Sequence, residues 1–288
     1  MDWRTDLGPI GSRPFFVADL VDVPLKADLL SLEHPLFALS PSHRVRSYEH
    51  NGVTVVVKPG IDGAALMSDR DVWIYCTSQL VEAMNRGRAD VAPNVRLVAY
   101  DLLRYMRREV SGEGYRGLQE ALRRLKGTVI ETSLQSGGKA ERAGFGLLEE
   151  WRVVEWPGSQ RMAAVEVTLP DWLFRSISGL SVLSLDQGYT SIKRPLERRV
   201  YELARKHCGR QPSWQISLPT LHRKVGSIDV LKNFRISIRE LCTRDHLPGY
   251  KIRFDAGSDL IRVYNRSRAG DKALLAHLSQ SMRLGLRD

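Results

Sequence analysis

Apolar positions along the chain recur at two periods, near two and near 3.6 residues, and the switches between them outline the elements. Residues 44–50 and 53–58 alternate on either side of Asn51-Gly52, a pair suited to the positive φ of a two-residue hairpin turn. Over 69–86, Val72, Trp73, Cys76, Leu80, Ala83 and Met84 fall at helical spacing, with Ser68 or Asp69 as cap and Gly87 as stop. A second helix is predicted over 96–109, with Leu97, Tyr100, Leu103 (or Leu102) and Met106 on one side. The turn Ser111-Gly-Glu-Gly114 leads to a third, over 115–126, with Leu118, Ala121, Leu122 and Leu125 inward. Strands follow over 127–134, 144–155 and 162–169, with a loop at 135–139, and Pro170-Asp171 opens a short helix ending near Ile177.

The second half repeats this order. Pro195 suits the first position of a helix over 196–208, with Leu196, Val200, Leu203 and Ala204 inward and Gly209 as stop. Ser217 caps a short helix over 218–225 that Gly226 ends. Ser227 or Asp229 caps the next, which runs to about Asp245 before Pro248-Gly249 breaks it. Residues 250–254 and 260–265 alternate around the turn 255–258, and 271–288 reads as a helical tail. Three helices followed by a hairpin, twice, predict an α+β protein of two tandem winged-helix domains, each a helix-turn-helix with a β-hairpin wing. The predicted domains are 1–190 and 191–270, followed by the tail 271–288; the soft stretch 186–190 marks the boundary.

Composition narrows the classes. The chain has 288 residues, 43% hydrophobic and 26% charged, which is ordinary globular usage. No apolar run approaches the roughly 18 residues of a membrane span, and the N-terminus lacks the pattern of a secretory signal. Cys76, Cys208 and Cys242 form no C-x-x-C pair, which disfavours a disulfide scaffold or a cysteine zinc site and fits a reducing cytoplasm. The net charge of +10 is unevenly spread. Residues 1–190 carry 22 basic and 24 acidic side chains, whereas residues 191–288 carry 21 basic and 9 acidic. A basic third joined to a neutral remainder points to a polyanion, DNA first.

On the third helix of the second domain, Val230 (or Leu231), Phe234, Ile238 and Leu241 form the inward stripe. Lys232, Arg235 and Arg239 then face outward, with Asn233 and Arg244 at the flanks. Arg matches a guanine edge and Asn an adenine edge in the major groove. The competing reading is a solvated basic face, with Glu240 paired to Arg244. Arg223 and Lys224 before the turn, and Lys251 and Arg253 on the wing, are expected to hold phosphates. In the first domain the candidates are Arg116, Gln119, Arg123 and Lys126. Val129, Ile130, Val153, Val165 and Val167 read as core, or as an edge open to a second copy.

Catalytic constellations are absent from the pattern. There is no G-x-x-x-x-G-K-[ST], no H-E-x-x-H and no H-x-H pair, and Tyr48, Tyr75, Tyr100, Tyr105 and Tyr189 have no evident activating partner. The expectation is a protein that is not an enzyme and needs no metal or cofactor.

Several segments resemble the replication initiator protein A family of bacterial plasmids. They include Leu32-Glu-His-Pro-Leu-Phe37, Tyr48-Glu-His-Asn-Gly52, Asp69-Arg-Asp-Val-Trp-Ile-Tyr-Cys76, Ala121-Leu-Arg-Arg-Leu125, residues 194–209 and Asn233-Phe-Arg235. The resemblance runs from about Phe15 to Asn265 and extends more faintly to the iteron-binding initiators built of two winged-helix domains. It implies binding to repeated double-stranded DNA at a plasmid origin, opening of neighbouring DNA, and recruitment of the host initiator and replicative helicase. It also implies dimerisation through the first domain and a place in the bacterial cytoplasm with the plasmid. A two-domain winged-helix transcriptional regulator is the alternative.

Overall fold

The computed structural model describes residues 15–50, 52–136, 139–155 and 162–283. They form two units, one within residues 15–29 and 41–184, the other within residues 30–40 and 185–283. The division after Ser184 falls a few residues before the expected boundary. The segment 30–40 was expected in the first domain and instead belongs to the second unit.

The first unit contains β1 (Phe16–Ala18), β2 (Lys26–Asp28), the start of α1 (Leu29–Glu33), β3 (Arg46–His50), β4 (Val53–Lys58), α2 (Asp71–Asn85), β5 (Asn94–Leu97), α3 (Ala99–Tyr105) and α4 (Gly112–Gly127). β6 (Val129–Ser136), β7 (Lys139–Gly146), β8 (Glu150–Glu155), β9 (Met162–Thr168), α5 (Asp171–Ser178) and β10 (Val182–Ser184) complete it. One sheet has the order β1-β5-β9-β8, a second β3-β4-β6-β7, and β10 pairs with β2. β3 pairs antiparallel with β4, as the predicted hairpin requires, and Gly52 stands at φ +76°; Asn51 and the loop residues 137–138 lie outside the described residues.

Three expectations are corrected here. The predicted helix over 96–109 begins as strand β5, because Val95 and Leu97 fill the sheet's core face while Arg96, 4% exposed, meets Glu166 on β9. That leaves α3 only seven residues, and Tyr100 is exposed rather than inward. The single strand predicted over 144–155 is two, because Leu147 and Leu148 turn into the core and the Leu147 carbonyl accepts the Trp73 indole N–H at 2.8 Å. Gln135, Ser136 and Lys139, expected in a loop, extend β6 and β7.

α4 is placed as its pattern predicts, with Leu118, Ala121, Leu122 and Leu125 buried. Ser111 caps it by accepting the Gly114 N–H at 3.2 Å. A Cβ at Gly114 would stand 2.1 Å from the Glu109 carbonyl oxygen, so this turn requires a glycine.

The second unit receives α1 and then holds α6 (Pro195–His207), β11 (Ser213–Ser217), α7 (Leu218–Val225), α8 (Leu231–Arg244), β12 (Tyr250–Asp255), β13 (Leu260–Asn265) and α9 (Arg268–Arg283). Its sheet has the order β11-β13-β12. Pro195 opens α6, and Ser217 caps α7, which ends at Gly226 in the left-handed region. Phe234, Ile238 and Leu241 of α8 are buried. Val230, expected in that stripe, is 66% exposed and only precedes the helix, so Leu231 holds the first helical position. β11 was not predicted; the tail helix begins at Arg268 rather than 271.

Both units thus share an order. Helix, strand, helix, helix, strand, strand is α2-β5-α3-α4-β8-β9 in the first and α6-β11-α7-α8-β12-β13 in the second. In each sheet the last of these strands lies between the other two. The first unit interposes β6 and β7, which join the separate sheet.

Candidate nucleic-acid interface

α8 turns Lys232, Asn233, Ile236, Arg239, Glu240 and Thr243 to solvent. Phe234 and Ile238 anchor its other side, so the outward positions follow from the 3.6-residue turn. Arg239 lies over the Phe254 ring, 5.5 Å from its centroid, which ties the helix face to β12. Arg223 is exposed at the end of α7, its guanidinium 3.5 Å from the Thr220 hydroxyl. Lys251 and Arg253 are half-buried on β12, and the Lys251 ammonium is 3.5 Å from Asp245.

Three expected contacts differ from the pattern's promise. Arg235 is not on the open face: its guanidinium grips Asp259 in the β12–β13 turn, at 2.7 and 3.2 Å. That pairing raises the arginine's pKa further. Arg244 reaches buried Glu197 at 2.7 Å and, as the i,i+4 spacing suggested, Glu240 at 3.2 Å. Lys224 faces inward, 3% exposed, and donates to Glu33. Burial lowers its ammonium pKa against the pull of that carboxylate. It is part of a cluster in which Glu33 also meets Lys206 at 2.7 Å and His207 at 3.2 Å. Burial opposes the Glu33 charge, but hydrogen bonds from His207, Lys206 and Lys224 outweigh it and hold the carboxyl well below the usual range.

The same segment is fixed by a buried arginine. Arg199 donates to the carbonyls of Ser31, Leu32 and Glu33 at 3.0–3.1 Å, to the Lys224 carbonyl, and to Glu202 at 3.1 Å. It thereby satisfies the carbonyls that α1 leaves open at its C-terminal end. Leu32, Leu36, Phe37 and Ala38 are each 2% exposed or less, which explains why 30–40 belongs with the second unit.

In the first unit, Arg116 and Arg123 stand exposed on α4, and Gln119 is half-buried. Glu113 and Glu120 share that outer side. Lys126 is exposed and donates to the Glu149 carbonyl. The neighbouring Arg124 is turned inward, in a two-pronged pair with buried Asp69 at 2.7 and 2.9 Å.

Ile236, at the middle of the α8 face, is the position the sequence reading passed over. Its signal was present in the spacing, since it lies two residues from both Phe234 and Ile238. Among the described residues no group of three His, Cys, Asp or Glu is placed to hold a metal ion, and no helix is long and apolar enough to cross a membrane.

The fold is similar to that of domains 2 and 3 of RctB. Two solved structures of those domains align with TM-scores of 0.58 and 0.56, at 11% and 12% identity. They cover 84% and 86% of this chain and 97% and 99% of their own. The family model of Replication initiator protein A matches residues 26–252. A protein assigned to replication in Wigglesworthia glossinidia brevipalpis is 35% identical over 258 residues, 88% of this chain and 94% of that protein. The chain belongs to the Replication initiator protein A family.

Proposed function

We propose that the protein starts plasmid replication by binding repeated double-stranded DNA at the origin, with α8 as its main reading helix in the major groove. The observation that carries this reading is the outward face of α8, where Lys232, Asn233 and Arg239 stand exposed, in a unit that also carries Arg223 on α7 and Lys251 and Arg253 on β12 and holds the chain's whole net charge of +10. The shared helix–strand–helix–helix–strand–strand order supports reading each unit as a winged helix, with β12–β13 and β8–β9 as wings. α4, through Arg116 and Arg123, adds a weaker second contact made effective by tethering.

Binding free energy then offsets the cost of deforming adjacent DNA, and host initiator and helicase join the opened site. The protein works in the bacterial cytoplasm, without catalysis of its own, and pairs with a second copy through its first unit. Footprinting the full chain on its own replicon tests this. Protection of repeated sites, with permanganate-reactive thymines beside them, is the expected result; protection of one operator with no opened DNA would favour a transcriptional regulator instead.

A further inference from the structure

The pole of the α8 face is apolar. Ile236 is 51% exposed, and its neighbours on the helix surface are Lys232, Asn233, Arg239 and Glu240. Ile236, Arg239, Glu240, Thr243 and Arg244 line a shallow recess of about 380 Å³. Glu240 is turned to Arg194 at 3.4 Å and Arg244 at 3.2 Å, so its charge is matched within the protein. A branched aliphatic in the middle of a cationic face is out of place for phosphate binding, which needs donors. It suits a polyanion that offers an apolar group at its centre. The major groove does so through the C5 methyl of thymine. Isoleucine in a helix holds essentially one χ1 rotamer, so its methyl groups are already in position.

Resting on the DNA-binding reading above, we infer that Ile236 reads a thymine methyl and that Asn233, three residues earlier and exposed on the same side, reads an adenine edge, so that the centre of the α8 face specifies A·T pairs. Lys232 and Arg239 then serve as the flanking cations that hold the helix in the groove. The charge around Ile236 favours DNA over an apolar protein surface, which would have to strip water from those cations.

The test uses the full chain and a site selected from random duplex DNA. Each thymine of the selected site is replaced in turn by uracil, which lacks only the methyl. One position should lose about fourfold in affinity, the effect of burying one methyl-sized group. Ile236→Ala should bind the thymine and uracil sites equally at that position, while Ile236→Val keeps the preference. A wild-type protein indifferent to uracil at every position, with selection otherwise successful, overturns the inference and leaves the DNA-binding reading standing; Ile236 is then a protein contact. Failure to enrich any sequence overturns both.

Discussion

α4 and α8 occupy the same place in the same order of elements, yet they present different surfaces. On α4, exposed Arg116 and Arg123 are interleaved with Glu113 and Glu120, and the third arginine, Arg124, is committed inward to Asp69. On α8, Lys232 and Arg239 flank Asn233 and Ile236, and the one outward carboxylate, Glu240, is matched by arginines. The frame is common to both units, and the surface chemistry sets them apart. Charge totals alone would not have shown this, because several of the second unit's cations are internal. Arg199 and Lys224 hold its core together, and Arg235 is held by Asp259.

The largest expected effect comes from breaking those internal cations. Arg199→Met leaves Glu202, 0% exposed, without its arginine and should cost about 3–5 kcal/mol, read by denaturant unfolding. For the same reason, residues 185–288 without 30–40 should show no cooperative unfolding transition, whereas the fragment carrying both pieces on one linker should. An unchanged transition for 185–288 alone would show that the segment is dispensable.

Next in size is the contrast between the two faces. Lys232→Ala/Arg239→Ala should weaken specific binding by about 1–3 kcal/mol and lower the salt slope by about 0.9 for each phosphate that is no longer neutralised. Arg116→Ala/Arg123→Ala should cost clearly less in a fluorescence-anisotropy titration at matched salt. A larger loss from the α4 pair would reverse the assignment.

Acid stability probes the second unit through His34 and Glu33. Burial pushes the His34 pKa down from 6.5 to about 4, against the pull of Glu33. Between those values the unfolded chain binds the proton and the folded one does not, so stability should fall as pH drops from 6.5 to 4 and then level for this group. Below that, the depressed Glu33 carboxyl contributes stability that is present above its unfolded value of 4.5 and is lost as acid finally protonates it. His34→Asn should flatten the upper part of the profile in urea titrations run across pH, and Glu33→Gln the lower part.

The smallest effect is expected at Asp259. Asp259→Ala frees the Arg235 guanidinium and removes a negative charge beside the face, so binding should tighten a few-fold for all sequences alike. Weaker, less selective binding would instead show that Asp259 orients Arg235 for a base.

Much of this was legible in the chain. The periodic helices α2, α4, α6 and α8 and the 51–52 and 255–258 hairpins follow from apolar spacing and turn residues. The short first strands, β5 and β11, did not stand out for a shared reason. Four or five residues carry too few repeats to separate period two from 3.6, and pairing with distant β9 or β13 decides them. The outward row of α8 was readable by type but not by partner. Asp259 lies 24 residues from Arg235, and Glu33 lies 191 from Lys224, so no local pattern reveals that these cations are engaged.

The route of the chain has a consequence for how the protein is made. Leu32 and Arg199 are 167 residues apart, and the segment 30–40 leaves the ribosome long before the α6 arginine that receives it. At about 5–20 residues per second that interval is roughly ten to thirty seconds. During it the first unit can close around 41–184, while Leu32, Leu36 and Phe37 wait without the core they fill. Closing so long a loop gives little reward until α6 exists, so the second unit is the last to form. A nascent chain therefore gains the basic face of α8 only after α6 and α8 have both been synthesised, and a chain cut short before α6 exposes an apolar strip in its place.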